Sequence, residues 1–291
     1  MELLLKVEDR GYPTDYLLAR LRARRRGYGE CVAAEPYFAA WKSLLREYRW
    51  VYLQMNSTLR EIFRPFFILM EIRTVSQYLR YKTKGHTKGA EVLGLSLLSK
   101  AMRASLTQSG AMADLLAGIE TGFSPLCGGF TGLAGTFARE GLRGVEERLL
   151  NTFLEHVVLT KQHPDIKHFF ILLIDSRNIV ALYKHLRWDM DRFPPFVRGG
   201  LTSEKKLRGV FAARDVSGIA PLVKHLTGRE IASPAAGNIE SASLRWISRA
   251  LLRCAREPLS IAFILNYLWL CLMESRKTPT GAAMSEGGQA E

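Results

Sequence analysis

Three acidic residues are the first candidates for chemistry in this chain, because each stands inside an apolar run and is followed two residues later by an arginine. They are Glu71 with Arg73, Asp175 with Arg177, and Glu274 with Arg276, and the acids lie 104 and 99 residues apart. Laid on a helix, where positions three, four and seven apart share a face, Leu172, Asp175, Ile179, Leu182 and Leu186 form one stripe, and Phe67, Glu71, Val75 and Tyr78 form another. An ionised carboxylate in such a stripe is costly without a partner. The arginine at i+2 faces elsewhere, so each acid is expected to pair with a basic or polar group on a neighbouring helix of its own bundle. Equivalent acids repeated along the chain fit one structural device used three times better than the paired carboxylates of acid–base catalysis.

The other chemistry-bearing residues lack the spacing their chemistry needs. His86, His156, His163, His168, His185 and His225 form no HExxH pair, as a zinc site on a helix requires. Cys31, Cys127, Cys254 and Cys271 are far apart with no CxxC, which fits buried thiols in a reducing compartment. The run GGFTGLAG has no lysine followed by serine or threonine, so it is not a phosphate-cradling P-loop. Residues 189–191 (DMD) lack the glycine and final glutamate of a calcium loop. No cofactor, metal or catalytic residue is implied, and the chain reads as a non-enzyme.

Composition bounds the remaining classes. A chain of 291 residues, 47% hydrophobic and 24% charged, is an ordinary globular composition at a length where cores split into subdomains. A formal charge of +13 and a pI near 9.8 favour polyanions, anionic membrane surfaces or acidic protein partners. The densest cluster is ARLRARRRG, with Arg20, Arg22, Arg24, Arg25 and Arg26. It reads as a solvated or partner-facing rim, or, in the alternative reading of the whole chain, as part of a basic helical nucleic-acid-binding or scaffold protein. No groove-reading motif accompanies it. The longest apolar segment, residues 259–273, falls short of the ~18 to 20 residues a membrane span needs and reads as a buried core helix. MELLLKVEDRGYP has too short an apolar run for a secretory signal.

The elements that must position these residues are all helical. Three- and four-residue apolar spacing predicts helices over 13–26, ended by Gly27 and Gly29, and over 36–64, as one helix or two in tandem, with a break at Pro65. The first acid-bearing helix then runs to about residue 84, and a short helical pattern follows it. Residues 104–144 are rich in glycine and small side chains and read as a linker or mobile surface loop. Further helices are predicted over 145–159, from the QHPD turn to 188, from Ser203, over 216–226, over 239–256, and after Pro258. The tail, 278–291, is expected to be disordered. With no period-2 alternation and no hairpin turn, the fold class is all-α, in three bundles at 1–103, 104–206 and 207–277.

One stretch carries a further signal. The run IDSRNIVALYKHLRWDMDRFPPFVRGGLT resembles the C-type subunit of bacterial and archaeal V-type (A-type) ATPases, which is related to the vacuolar d-type subunit, through Asp175, Asn178, Gly199, Gly200 and Leu201. The opening YLLARLRARRRG is similar to that family's start through Tyr16, Ala19, Arg22 and Arg24, and REPLSIAFILNYLWLCLMESR to its closing helix. The first copy departs from the pattern, with Thr74 where the asparagine stands, and so does the end, where Lys277 and Thr278 lead into a polar tail. The resemblance implies a funnel-like protein of three similar bundles about a pseudo-threefold axis. It implies a non-catalytic socket between the central stalk and the membrane rotor ring of a rotary motor that transports protons or sodium, with no small-molecule substrate. It places the protein peripherally at the cytoplasmic face of the membrane. Glu71, Arg73, Asp175, Arg177, Asn178, Glu274, Arg276, Arg20, Arg22 and Arg24 are then the structural and interface candidates.

Overall fold

Apolar residues at helical spacing bury one face only when helices pack on one another, and the chain does this throughout. A computed structural model describes residues 2–9, 12–32, 37–228, 230, 236–257 and 259–276, and the tail expected to be disordered lies outside them. Twelve α-helices and one 3-10 turn occur among the described residues, with no β-strand beyond an isolated bridge between Leu4 and Leu98. The fold is all-α. It divides into two compact units, Met1–Thr152 with Ile264–Glu291, and Phe153–Phe263.

In the first unit, α1 (Thr14–Val32) packs on α2 (Tyr37–Gln54), and α3 (Ser57–Thr83) carries the first acid. α1 runs through Gly27 and Gly29 instead of ending there, because a helical glycine costs only about 1 kcal/mol. The expected break at Pro65 is also absent: Pro65 sits buried inside α3. The break comes earlier, at Asn56, whose side chain caps α3 by accepting from the Leu59 amide at 2.9 Å. Burial of Phe63, Phe66, Phe67 and Leu69 around the proline outweighs its missing amide bond, a penalty of about 3 kcal/mol. Tyr48 and Tyr52 of α2 meet Phe66 and Phe67 edge-on at 5.6 and 5.1 Å.

The short α4 (Lys88–Leu95) and α5 (Lys100–Gln108) follow, with an extended link between them. That link receives the N-terminal segment, since the Leu5 amide donates to the Leu97 carbonyl and the Ser99 amide to the Leu3 carbonyl, both at 2.8 Å. Residues 104–144 are not a loose linker. They contain α6 (Met112–Phe123) and the start of α7 (Leu133–Leu159), and Phe123, Phe130 and Leu133 are fully buried. The small residues permit close helix approach: a Cβ at Gly122 would stand 2.3 Å from the Met102 sulfur. Gly141, at φ +65°, interrupts α7, a conformation that glycine adopts without strain. α12 (Ala262–Ser275) completes the unit, with Ile264, Leu265, Leu268, Trp269 and Leu272 buried. No helix among the described residues is long and apolar enough to cross a membrane.

In the second unit, α8 (Pro164–Arg187) begins at a cap in which the His163 imidazole accepts from the Asp165 amide at 3.3 Å, with Pro164 in the first turn. Lys184, His185 and Arg187 lie in its last turn, where cations suit the helix dipole. α9 (Glu204–Ala212), the 3-10 turn Val216–Gly218, α10 (Ile219–Thr227) and α11 (Ala236–Cys254) follow. Ile179, Leu182, Tyr183 and Leu186 of α8 share one core with Leu207, Ile219, Leu222, Val223 and Ile239.

Candidate functional site

The apolar stripes do place Glu71 and Asp175 in the interior, where they are 1% and 0% exposed. Their partners differ from the expectation. Among the described residues, neither acid forms an ion pair with a neighbouring helix. Both accept main-chain amides from the segment that leads into the next short helix. Glu71 Oε1 accepts from the Leu97 amide at 2.7 Å, and Asp175 accepts from Leu201 at 2.8 Å through Oδ2 and from Thr202 at 2.9 Å through Oδ1. The first donor is 26 residues beyond the acid in both copies. A serine 28 residues beyond each acid, Ser99 or Ser203, then caps α5 or α9 by accepting from the Met102 or Lys206 amide. The 104-residue repeat is therefore one device built twice: a buried carboxylate pins a linking segment, and the pinned segment starts a capped helix.

The copies are not electrostatically equal. Around Asp175 the backbone folds tightly, because Gly199 takes φ +100° and a Cβ at Gly200 would stand 2.5 Å from Asp175 Oδ1. With no side chain there, two consecutive amides converge on the carboxylate. Burial raises the Asp175 pKa, and the Thr202 and Leu201 amides oppose the rise. Among the described residues, one amide reaches the Glu71 carboxylate, and Oε2 is buried without a hydrogen-bond partner. Burial pushes Glu71 up to about 8, against the pull of the Leu97 amide and the Arg103 guanidinium. Glu71 is thus substantially protonated at neutral pH, whereas two amides compensate Asp175.

Asn178 adds a second clamp in α8. Its Nδ2 donates to the Val197 carbonyl at 2.8 Å, and its Oδ1 accepts from the Val197 amide at 3.0 Å. Thr74, at the matching position of α3, only returns its hydroxyl to the Met70 carbonyl of its own helix at 3.0 Å. Arg73 and Arg177 are half-buried, Glu274 is half-buried on α12, and Arg276 is exposed just beyond it; the structure does not bring these four together with the two amide-bound acids in one site.

The arginine cluster of α1 is in part engaged with α2. Arg24 grips the buried Glu47 of α2 through Nε–Oε1 at 2.7 Å and Nη2–Oε2 at 2.8 Å and lies over the Trp50 ring at 4.3 Å. The Tyr267 hydroxyl of α12 donates to Glu47 Oε1 at 2.7 Å. Glu47 raises the Arg24 pKa, and burial pushes the Tyr267 phenol far up. Arg20 donates to Gln54 Oε1 at 2.5 Å and stacks at 5.0 Å from Trp50, while Arg22 and Arg25 are exposed. The Glu47–Tyr267 bond was missed by sequence reasoning, because a pair 220 residues apart leaves no local spacing signal. Arg24→Gln is expected to destabilise the protein by about 1–3 kcal/mol, because the buried Glu47 keeps only a neutral donor. Urea unfolding measures it, and an unchanged midpoint would refute the role given to this pair.

A buried carboxylate that holds main chain fixes one segment of the fold to another. The profile described as ATP synthase (C/AC39) subunit matches residues 37–277. The chain belongs to this family. The match spans both repeats of the amide pin and α12, and membership makes the protein a subunit of a V/A-type ATPase, acting within that complex. No curated protein matches the chain.

Proposed function

We propose that this protein is the non-catalytic socket of the rotary ATPase. In this role it links the central stalk to the membrane rotor ring during proton or sodium transport, and it works at the cytoplasmic face of the membrane. The observation that carries the reading is the family match over residues 37–277, and the repeated pin supports it physically. A part that passes torque by shape must resist shear between helices. A carboxylate bonded to loop amides in the interior fixes helix to loop without a flexible side-chain partner. In the same reading the chain forms three bundles about a pseudo-threefold axis, with Glu274 in the third copy and with Arg22 and Arg276 on partner-facing surfaces. The recurrence of the 26-residue offset supports the equivalence of the first two copies.

The test is co-purification of the tagged full chain with stalk and ring subunits, alongside an ATP hydrolysis assay of the isolated protein. The expected result is assembly with both sets of subunits and no hydrolysis by the chain alone. Failure to assemble, combined with sequence-selective nucleic-acid affinity that survives moderate salt, would replace this reading by the nucleic-acid one suggested by the charge of +13.

A further inference from the structure

Beyond its place in the motor, the second unit carries a basic cavity that the pins do not use. It is a hollow of about 340 Å³, open to solvent on one side, lined by Thr227, Trp246, Arg249, Leu252, Arg253 and Arg256. Arg249, Arg253 and Arg256 stand at i, i+4 and i+7 along the C-terminal half of α11 and the turn after it, where the Arg256 amide donates to the Arg253 carbonyl. The three guanidiniums therefore face the same hollow. None of them forms an ion pair with a carboxylate among the described residues. Trp246 is almost buried in the wall, and Leu252 is 52% exposed at the rim.

We propose that this cavity binds a phosphate-bearing anion, with its phosphate oxygens on the arginines and its apolar part against Leu252 and the edge of Trp246. Three guanidiniums on one face exceed the partial negative charge of about half a unit at the C-terminus of α11, so the local field favours an anion. Arginine's fork of donors matches phosphate oxygens bidentately. A lone carboxylate offers two oxygens and would leave at least one arginine unmatched, whereas a diphosphate or a phosphodiester with neighbouring hydroxyls offers acceptors enough for all three. The concavity separates this cluster from a solvated basic face, because a low-dielectric wall focuses the potential, and its volume lies at the lower end of ordinary ligand sites. The source is either a soluble diphosphate or the headgroup of an anionic phospholipid.

The experiment uses the full chain with two probes. Inorganic pyrophosphate is titrated by calorimetry, and vesicles of phosphatidylcholine with or without phosphatidylglycerol are tested by co-sedimentation. The expected result is binding to at least one probe that weakens about tenfold or more when Arg249, Arg253 and Arg256 are all changed to Gln. A charge-matched control, Arg187→Gln with Lys205→Gln and Lys206→Gln, is expected to keep most of the binding. Arg253→Gln alone is expected to weaken binding severalfold, so the test stands even if the triple variant folds poorly. Loss with pyrophosphate identifies a soluble ligand, and loss only with phosphatidylglycerol vesicles identifies a lipid. Absence of binding to both probes, or equal loss in the control, overturns the proposal.

Discussion

Replacing Glu71 by glutamine is expected to remove a large pH dependence from the stability of this protein. Burial raises the Glu71 carboxyl from its usual 4.5 to about 8 in the folded chain. Between those values the folded protein holds a proton that the unfolded chain has released. Since the slope of unfolding free energy with pH follows the protons bound in the unfolded state minus those bound in the native state, stability falls as pH rises from about 4.5 to about 8. It is flat above that window, where both states are ionised. The accumulated loss is on the order of several kcal/mol. The amide introduced by Glu71→Gln stays neutral at every pH and still offers an oxygen to the Leu97 amide. Urea unfolding at pH 5, 7 and 9 should therefore show the variant gaining on the parent as pH rises, whatever constant cost the substitution brings at pH 5. Parallel curves for the two proteins would mean that Glu71 is compensated in a way its unpartnered Oε2 does not reveal. Because Leu97 also holds Leu5 through its carbonyl, the N-terminal segment is the first region expected to loosen at alkaline pH, and hydrogen exchange of Leu5 and Ser99 reads it directly.

The second large effect concerns the other copy. Gly200→Ala places a methyl 2.5 Å from Asp175 Oδ1, 3.0 Å from its Cγ and 3.2 Å from Ile174 Cγ2. The side chain of Asp175 lies on a buried helix and cannot retreat, so the loop must move out. Both amides then leave the carboxylate. A buried charge stripped of its donors costs about 3–5 kcal/mol. Asp175→Ala removes the carboxylate that the methyl meets, so the double variant Gly200→Ala with Asp175→Ala should lose much less than the sum of the single losses. Strict additivity in this cycle would sink the claim that Gly200 exists to let the backbone close on Asp175.

These two copies also mark the limit of what spacing alone conveys. The apolar stripe Leu172, Asp175, Ile179, Leu182 and Leu186 was legible, and every member is buried, because helical periodicity records which face meets the core. The start of α9 at Ser203 was legible for a similar reason, since a cap is a local hydrogen bond. The partner of the acids was not. Every residue type except proline carries a main-chain N–H, so a carboxylate bonded to such groups leaves no complementary charge to find. The only traces were Gly199–Gly200 beside the second copy and the serine 28 residues beyond each acid. The segment 104–144 was misjudged because small residues mark both loose loops and tightly packed helices; the difference lies in what packs against them, as Met102 does against Gly122.

By itself the sequence determined the all-helical class, the repeat that places Glu71 and Asp175 in equivalent positions, and membership of the rotary ATPase family, all of which depend on the order of residue types along the chain. Only the tertiary structure decided which acid burial leaves poorly compensated and which arginines of α1 pair with α2. Both depend on donors and burial supplied by distant segments. One amide from Leu97 leaves Glu71 poorly compensated, and two from Leu201 and Thr202 satisfy Asp175. Arg24 is held against α2 because Glu47 is buried beside it, and the same carboxylate is bonded by Tyr267 from far along the chain. Charge states and pairings of this kind are set by three-dimensional proximity and desolvation, which no one-dimensional spacing encodes.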